Sequence, residues 1–226
     1  MSDVGDSIDI GTLLRRSEAF EQAIQACFPE SGFVLAVASL QYDLAATACV
    51  LCIEHAGVLR VAFSIAAPNS GSAVLRLQYE ALLRAAWLMY AASPDQIAKL
   101  ATSLDLEAEQ AAKKLPGYLD MLDAVVKKAP AGLSAPLAEF NQYSRHALNS
   151  FVHSGIHPLH RARDGYPAPM GVTVIRFSNA LMHFGYRMLA SLSGSTRRMD
   201  RVTRLHQVFM DCVPVSVAPP ESGADD

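Results

Sequence analysis

Charge is scarce in this chain. Lys, Arg, Asp and Glu together make up 18% of 226 residues, against 51% hydrophobic residues. So apolar a composition excludes a disordered chain and supplies material for a large core. No alternating apolar–polar run of strand type is present, no internal repeat, and no linker rich enough in Pro, Gly or Ser to divide domains. Phosphate-cradling glycine loops need a strand before them, and none is offered. No nucleophile elbow and no Ser–His–Asp order is visible. Cysteines number four, Cys27, Cys49, Cys52 and Cys212. Cys49 and Cys52 form a C-x-x-C inside a long apolar helical run with no second pair at zinc-ligand spacing, so they read as buried free thiols on one helix face. The first ten residues are polar and acidic rather than basic and then apolar, unlike a secretory leader, so a reducing cytoplasm is the expected location.

What remains is helical periodicity from end to end. It predicts an all-α, single-domain helical bundle over residues 11–212, with disordered ends at 1–10 and 213–226. The expected helices are Thr12 to Cys27, Phe33 to Ile65 with a bend at Gly57, Ser72 to Ala92, a short one after Ser93-Pro94-Asp95, pieces at 104–115 and 117–128, then Ser134 to His153, 170–192 and 195–211. Pro68-Asn69-Ser70-Gly71 reads as a turn. The segment Ser154 to Pro169, with its Gly and Pro residues, reads as loop. Phe33 to Ile53 approaches the length of a membrane span, but Gln41 and Asp43 sit in its middle and basic flanks are missing. It is therefore expected to be the buried central helix, packed antiparallel to the 72–92 helix, with no membrane partner.

Net charge is −3, and its distribution is uneven. Residues 1–140 carry ten basic and sixteen acidic side chains, whereas 141–212 carry nine arginines, no lysine and three acids. Glu221, Asp225 and Asp226 follow in the tail. An anionic partner at the C-terminal half fits this asymmetry, as does a solvated arginine face.

Two polar constellations interrupt the apolar pattern. Four of the seven histidines, His146, His153, His157 and His160, fall within sixteen residues. His146, Asn149 and His153 share one helix face, and Gly155 lets the chain turn back over it. Such a cluster suits a metal, an acid–base pair or a phosphate, and equally suits a helix end with a decorated loop. There is no H-E-x-x-H, so no metal ligand set is assigned. The second constellation, Arg76, Glu80 and Arg84, forms a charged strip four residues apart on an otherwise apolar helix, facing either a polar cavity or a paired partner.

The stretch R-L-Q-Y-E-A-L-L-R-A at 76–85, followed some seventy residues later by N-S-F-V-H-S-G-I-H at 149–157, resembles the HEPN-like superfamily, more narrowly uncharacterised bacterial families at its edge. The resemblance spans about residues 33–190. It implies a helical bundle in which an R-x-x-x-E helix faces a helix ending in a V-H-G-like turn, and, for active members, metal-independent ribonucleases of toxin–antitoxin or phage-defence systems, usually dimeric. Active members carry Arg-x(4–6)-His. Here Asn149 stands near that arginine's place, and Arg145 precedes His153 with seven residues between. Arg176…His183 and Arg201…His206 match the spacing formally, at about the number chance provides.

The resemblance assigns His153 as general acid or base, His157 as a second proton carrier, Arg145 or Arg76 to transition-state charge, and Asn149 and Glu80 to orientation. Arg84 and His160 complete the substrate-binding set. No cofactor is called for. RNA, a cognate antitoxin or other partner protein, and a second copy of the chain are the expected partners. A catalytically silent module binding a protein or small ligand in the same cleft is the rival reading, and a metal-dependent hydrolase resting on the histidine count is a third. The two constellations are expected to meet, His153 within a few ångströms of the Arg76–Glu80 strip, because each otherwise puts polar groups into an apolar bundle.

Overall fold

A computed structural model describes residues 9–30, 32–103, 105–106, 110 and 113–214. Nine α-helices and one 3₁₀ turn make up the regular structure of these residues: α1 (Ile10–Gln25), α2 (Leu40–Ser64), α3 (Pro68–Tyr90), α4 (Pro94–Ala101), α5 (Tyr118–Lys128), α6 (Ala131–Val152), α7 (Ile156–Asp164), α8 (Ala168–Leu192), α9 (Thr196–Val208) and the turn Met210–Cys212. The fold is all-α, a helical bundle. Half of the helical piece expected at 104–115 and most of the expected disordered ends lie outside the described residues; within that piece Leu106 and Gln110 are helical and 113–115 are turn and bend. Inside those ends, Asp9 caps α1 through Gly11 and Thr12, Ile10 is already helical, and Val213 is buried in the core.

Local chemistry sets the helix starts. Ser39 accepts from the Tyr42 N–H and begins α2. Ser93 and Gln96 form a reciprocal capping box at α4, with Pro94 in the first turn. Three expectations need correction. The helix expected from Phe33 starts at Leu40 instead. Residues 33–38 are an irregular segment whose Ala36 N–H donates to the Leu192 carbonyl, while Phe33 and Leu35 pack on the core, so their apolar character reflects contact rather than helix. Pro68 to Gly71 is the first turn of α3, not a turn between helices, because proline lacks only an N–H that the first turn leaves free. The actual link is 65–67, where Ala66 takes φ +57°. Third, 156–164 is helix α7 rather than loop, for the same reason: Pro158 is its third residue, still within the turn that has no upstream partners.

α2 and α3 form an antiparallel hairpin, as their contacts show. Gln41, at the start of α2, donates to the Leu88 carbonyl at the end of α3, and the Phe63 ring, at the end of α2, lies over Gly71 at the start of α3. α8 packs against α1, α2, α3 and α9, while α5 and α6 cover the other side of α3. The central helices are thus α3 and α8, not α2. Of 25 residues each, α8 buries fourteen and α2 nine. α2 runs unbroken through Gly57.

Several polar groups in the core are paired across helices. Gln78 and Ser178 exchange hydrogen bonds of 2.9 and 2.7 Å between α3 and α8. Asn179 donates to Ser17 Oγ and the Cys212 carbonyl, tying α1 and the 3₁₀ turn to α8. Arg60 pairs with Glu21, which also accepts from Tyr186 Oη. Cys49 and Cys52 are buried free thiols, and burial pushes both away from thiolate, Cys52 to about 12.

Candidate functional site

The corner between α6 and α7 gathers most of the expected site residues. Tyr143, His146, Asn149 and His153 recur three or four apart on α6 and its C-cap, and all four are exposed, Tyr143 by 75%. The chain then reverses through Ser154, at φ +51°, and Gly155. A Cβ on Gly155 would stand 2.6 Å from Ser150 Oγ, so only glycine fits against that hydroxyl. Ser150 Oγ in turn accepts from the His157 N–H at 3.1 Å and fixes the start of α7.

On α7 the side chains of His157, His160, Arg161, Asp164 and Ile156 line an open recess of about 360 Å³. His157 packs its ring near Phe151, centroids 6.1 Å apart, and its Nδ1 is buried without a partner. The less costly neutral tautomer therefore holds its proton on Nε2. His160 Nδ1 lies 3.1 Å from an Arg163 amine and 3.4 Å from the Asp164 carboxylate. Arg163 grips Asp164 through two bonds of 2.7 and 2.9 Å, and this pairing holds the Asp164 carboxyl below its ordinary range. Arg161 has a buried Nε with no partner. Arg145 rests 3.5 Å from His146 Nε2.

The Arg76–Glu80–Arg84 strip finds its partners on α3 itself and on α5. Arg76 is buried, bonds Glu80 at 2.8 Å and lies 4.0 Å over the Tyr118 ring of α5. Glu80 leaves about two-fifths of its side chain exposed. Burial holds the Arg84 guanidinium below its ordinary range, with Glu80 opposing. No hydrogen bond, ion pair or ring contact joins the strip to His153, His157 or His160 among the described residues, and His153 makes none through its side chain. The strip is satisfied by an aromatic partner 42 positions away in sequence, which removes the economy argument for a composite site. Of the formal Arg…His matches, His183 is a core residue whose Nε2 donates to the Val202 carbonyl at 2.8 Å.

The structure unites His157 and His160, adds Arg161, and leaves Arg145, Asn149 and His153 on the neighbouring helix end. Arg161 stands one turn after His157 in sequence, a spacing legible only once 156–164 is known to be helical. No group of three or more His, Cys, Asp or Glu converges in metal-binding geometry among the described residues.

A family model described as "Family of unknown function (DUF6988)" matches residues 49–215. The chain belongs to DUF6988. Neither a curated protein nor a solved structure matches it. The DUF6988 match takes in the strip on α3, the α6–α7 corner and all of α8, so every candidate site residue falls within the family's span.

Proposed function

We propose that the α6–α7 corner binds the phosphate backbone of RNA and that this DUF6988 chain acts as a binding module. One observation carries the reading. Residues 145–164 hold three arginines and four histidines against a single carboxylate, Asp164, which Arg163 already occupies. Arg161 lines the recess and forms no ion pair among the described residues, although Asp164 stands near it; it suits a phosphate, whose oxygens its fork holds in pairs. Exposed Tyr143 and the histidine rings offer faces on which unpaired bases stack, the usual supplement to a cationic groove on single strands. The HEPN-like resemblance supports RNA as the polyanion. Support for binding over cleavage comes from the two halves of the expected catalytic set having no contact with each other: Arg76 pairs with Glu80 and lies over Tyr118 of α5, and the His153 side chain has no orienting hydrogen bond among the described residues.

A nuclease is the second reading, favoured by one feature: His157 and His160 share the recess with Arg161. In it the two rings pass the protons of a metal-independent transesterification while Arg161 holds the phosphate.

Anisotropy of a labelled single-stranded RNA, titrated in EDTA at several salt concentrations, tests both. Binding is expected to weaken steeply with salt, and Arg161→Ala to weaken it roughly tenfold and lower the salt slope by about one. Absent binding at low salt, or an Arg161→Ala variant indistinguishable from the parent, would overturn the proposal. RNA cleavage that vanishes in His157→Ala or His160→Ala while binding persists replaces the binding module by the nuclease.

A further inference from the structure

α2 carries a second apolar face that the bundle does not cover. Leu40, Val50, Leu51, Val58, Val61 and Ile65 are each between 43% and 69% exposed. They are not scattered. Leu40, Leu44, Thr47, Leu51, Glu54, Val58, Val61 and Ile65 follow one another at alternating intervals of four and three, the spacing of a heptad seam, with Val50 at its edge. The inner face of the same helix is fully used, with Cys49, Cys52, Ala56 and Leu59 in the core and Arg60 paired to Glu21. Apolar positions thus recur at heptad spacing along the 25-residue helix, about 37 Å, interrupted at Thr47 and Glu54, and such spacing is the pattern by which one helix receives the knobs of another.

From this geometry we infer that the outer face of α2 is the contact surface for a second copy of the chain, two α2 helices packing across a two-fold axis. The inference is independent of RNA binding at α6–α7. Six half-exposed branched side chains leave on the order of 500 Å² of apolar surface, within the range of the largest patches on monomers. With the flanking Thr47, Glu54 and His55 they approach the ~800 Å² per partner of a standard interface. Charge argues against lipid as the occupant. The exposed residues of α2 include Asp43 and Glu54 and no lysine or arginine, which suits neither an anionic membrane surface nor a span, although α2 is long and apolar enough to cross a membrane by length and composition. A second copy presents the same seam, so the surface is complementary to itself.

Glu54 gives the arrangement a signature. It lies near the middle of the seam, so a two-fold axis brings the two Glu54 carboxylates close whether the helices run parallel or antiparallel about the seam's centre. Removing that repulsion strengthens the dimer, whereas adding charge elsewhere on the seam breaks it.

Sedimentation velocity of the full chain at micromolar concentration provides the test. The parent is expected to form dimers, Val58→Glu/Val61→Glu to sediment as a monomer with unchanged helical circular dichroism, and Glu54→Gln to lower the dimer Kd by roughly fivefold or more. Val126→Glu, an equally exposed apolar position on α5, keeps the parent's dimer. A parent that stays monomeric overturns the inference, as does a dimer indifferent to both seam variants. Should the double variant misfold, an unchanged or weakened Kd in Glu54→Gln is by itself enough to overturn it. A monomeric parent that co-sediments with phosphatidylcholine vesicles, and loses this in Val58→Glu/Val61→Glu, assigns the face to lipid instead.

Discussion

α2 and α8 are both 25 residues long and both rich in apolar side chains, yet they play different parts. α8 is wrapped by α1, α2, α3 and α9, and three of its buried polar side chains bond to neighbouring elements: Ser178 to Gln78, Asn179 to Ser17, His183 to the Val202 carbonyl. α2 buries one face, and its remaining polar residues, Asp43, Thr47 and Glu54, stand outside among exposed valines and leucines. Apolar character tells that a helix is to be covered on that face, but not by what. For α8 the cover is the chain's own core. For α2 the outer face is left exposed by the described residues.

The largest expected contrast is between one buried and one outward branched residue. Ile175 on α8 is fully buried, so Ile175→Ala is expected to cost about 2–5 kcal/mol, lowering Tm by roughly 2–4 °C for each kcal/mol. Val61→Ala on α2, measured by urea denaturation where the chain is monomeric, is expected to change stability by less than about 0.5 kcal/mol. Repeating the Val61→Ala measurement at high concentration sharpens the comparison, because a seam contact makes the cost grow with association. Equal costs for the two substitutions in the monomer would mean that α2's outer face is buried within the chain after all.

Protonation separates the helices next. His183 on α8 is buried with its Nε2 donating to Val202, and desolvation lowers its pKa from 6.5 to about 4, with Arg187 and His206 acting in the same direction. Since the folded ring resists a proton that the unfolded chain accepts at 6.5, its stabilising effect is complete above that pH. It is lost progressively as pH falls from 6.5 towards about 4, by up to ~3 kcal/mol in all. Urea midpoints across that range are expected to fall, and His183→Gln, which keeps an N–H donor but does not titrate, to flatten the profile. An unchanged slope in that variant would assign the pH dependence to other groups. His55 on α2 shifts in the same direction, from desolvation, but is only partly buried and contributes little.

The fold class and the start of α4 are legible in the sequence because the signals are local: Ser93 at the cap and Pro94 in the first turn. Two of the misreadings share one origin. Pro68 and Pro158 look like breaks in the sequence, whereas proline in a first turn is a beginning. Hiding α7 also hid Arg161 as a neighbour of His157. The Arg76–Tyr118 contact and the exposed seam of α2 were out of reach for another reason. The first joins residues distant in sequence, and the second arises because α2 is apolar on both faces, so periodicity alone cannot say which is covered.

The finest test compares two glycines on the α2–α3 hairpin. Gly71 opens α3 beneath Phe63, and a Cβ there would stand 2.7 and 2.9 Å from two carbons of the Phe63 ring. The same ring meets Tyr166 edge-on, centroids 6.1 Å apart, which limits its retreat on that side. Gly57, within α2, has nothing within 4 Å of its would-be Cβ. Helix propensity alone favours alanine at both positions by about 0.5–1 kcal/mol. Gly57→Ala is therefore expected to raise stability by about that amount. At Gly71 the clash reverses the sign, and Gly71→Ala is expected to lose about 1–3 kcal/mol, as overpacked cores do. Thermal melts of the two variants read the difference directly. If Gly71→Ala proves as stable as Gly57→Ala, the Phe63 ring moves freely at that end of the hairpin, and the close antiparallel packing of α2 on α3 is looser there than the Phe63–Gly71 approach requires.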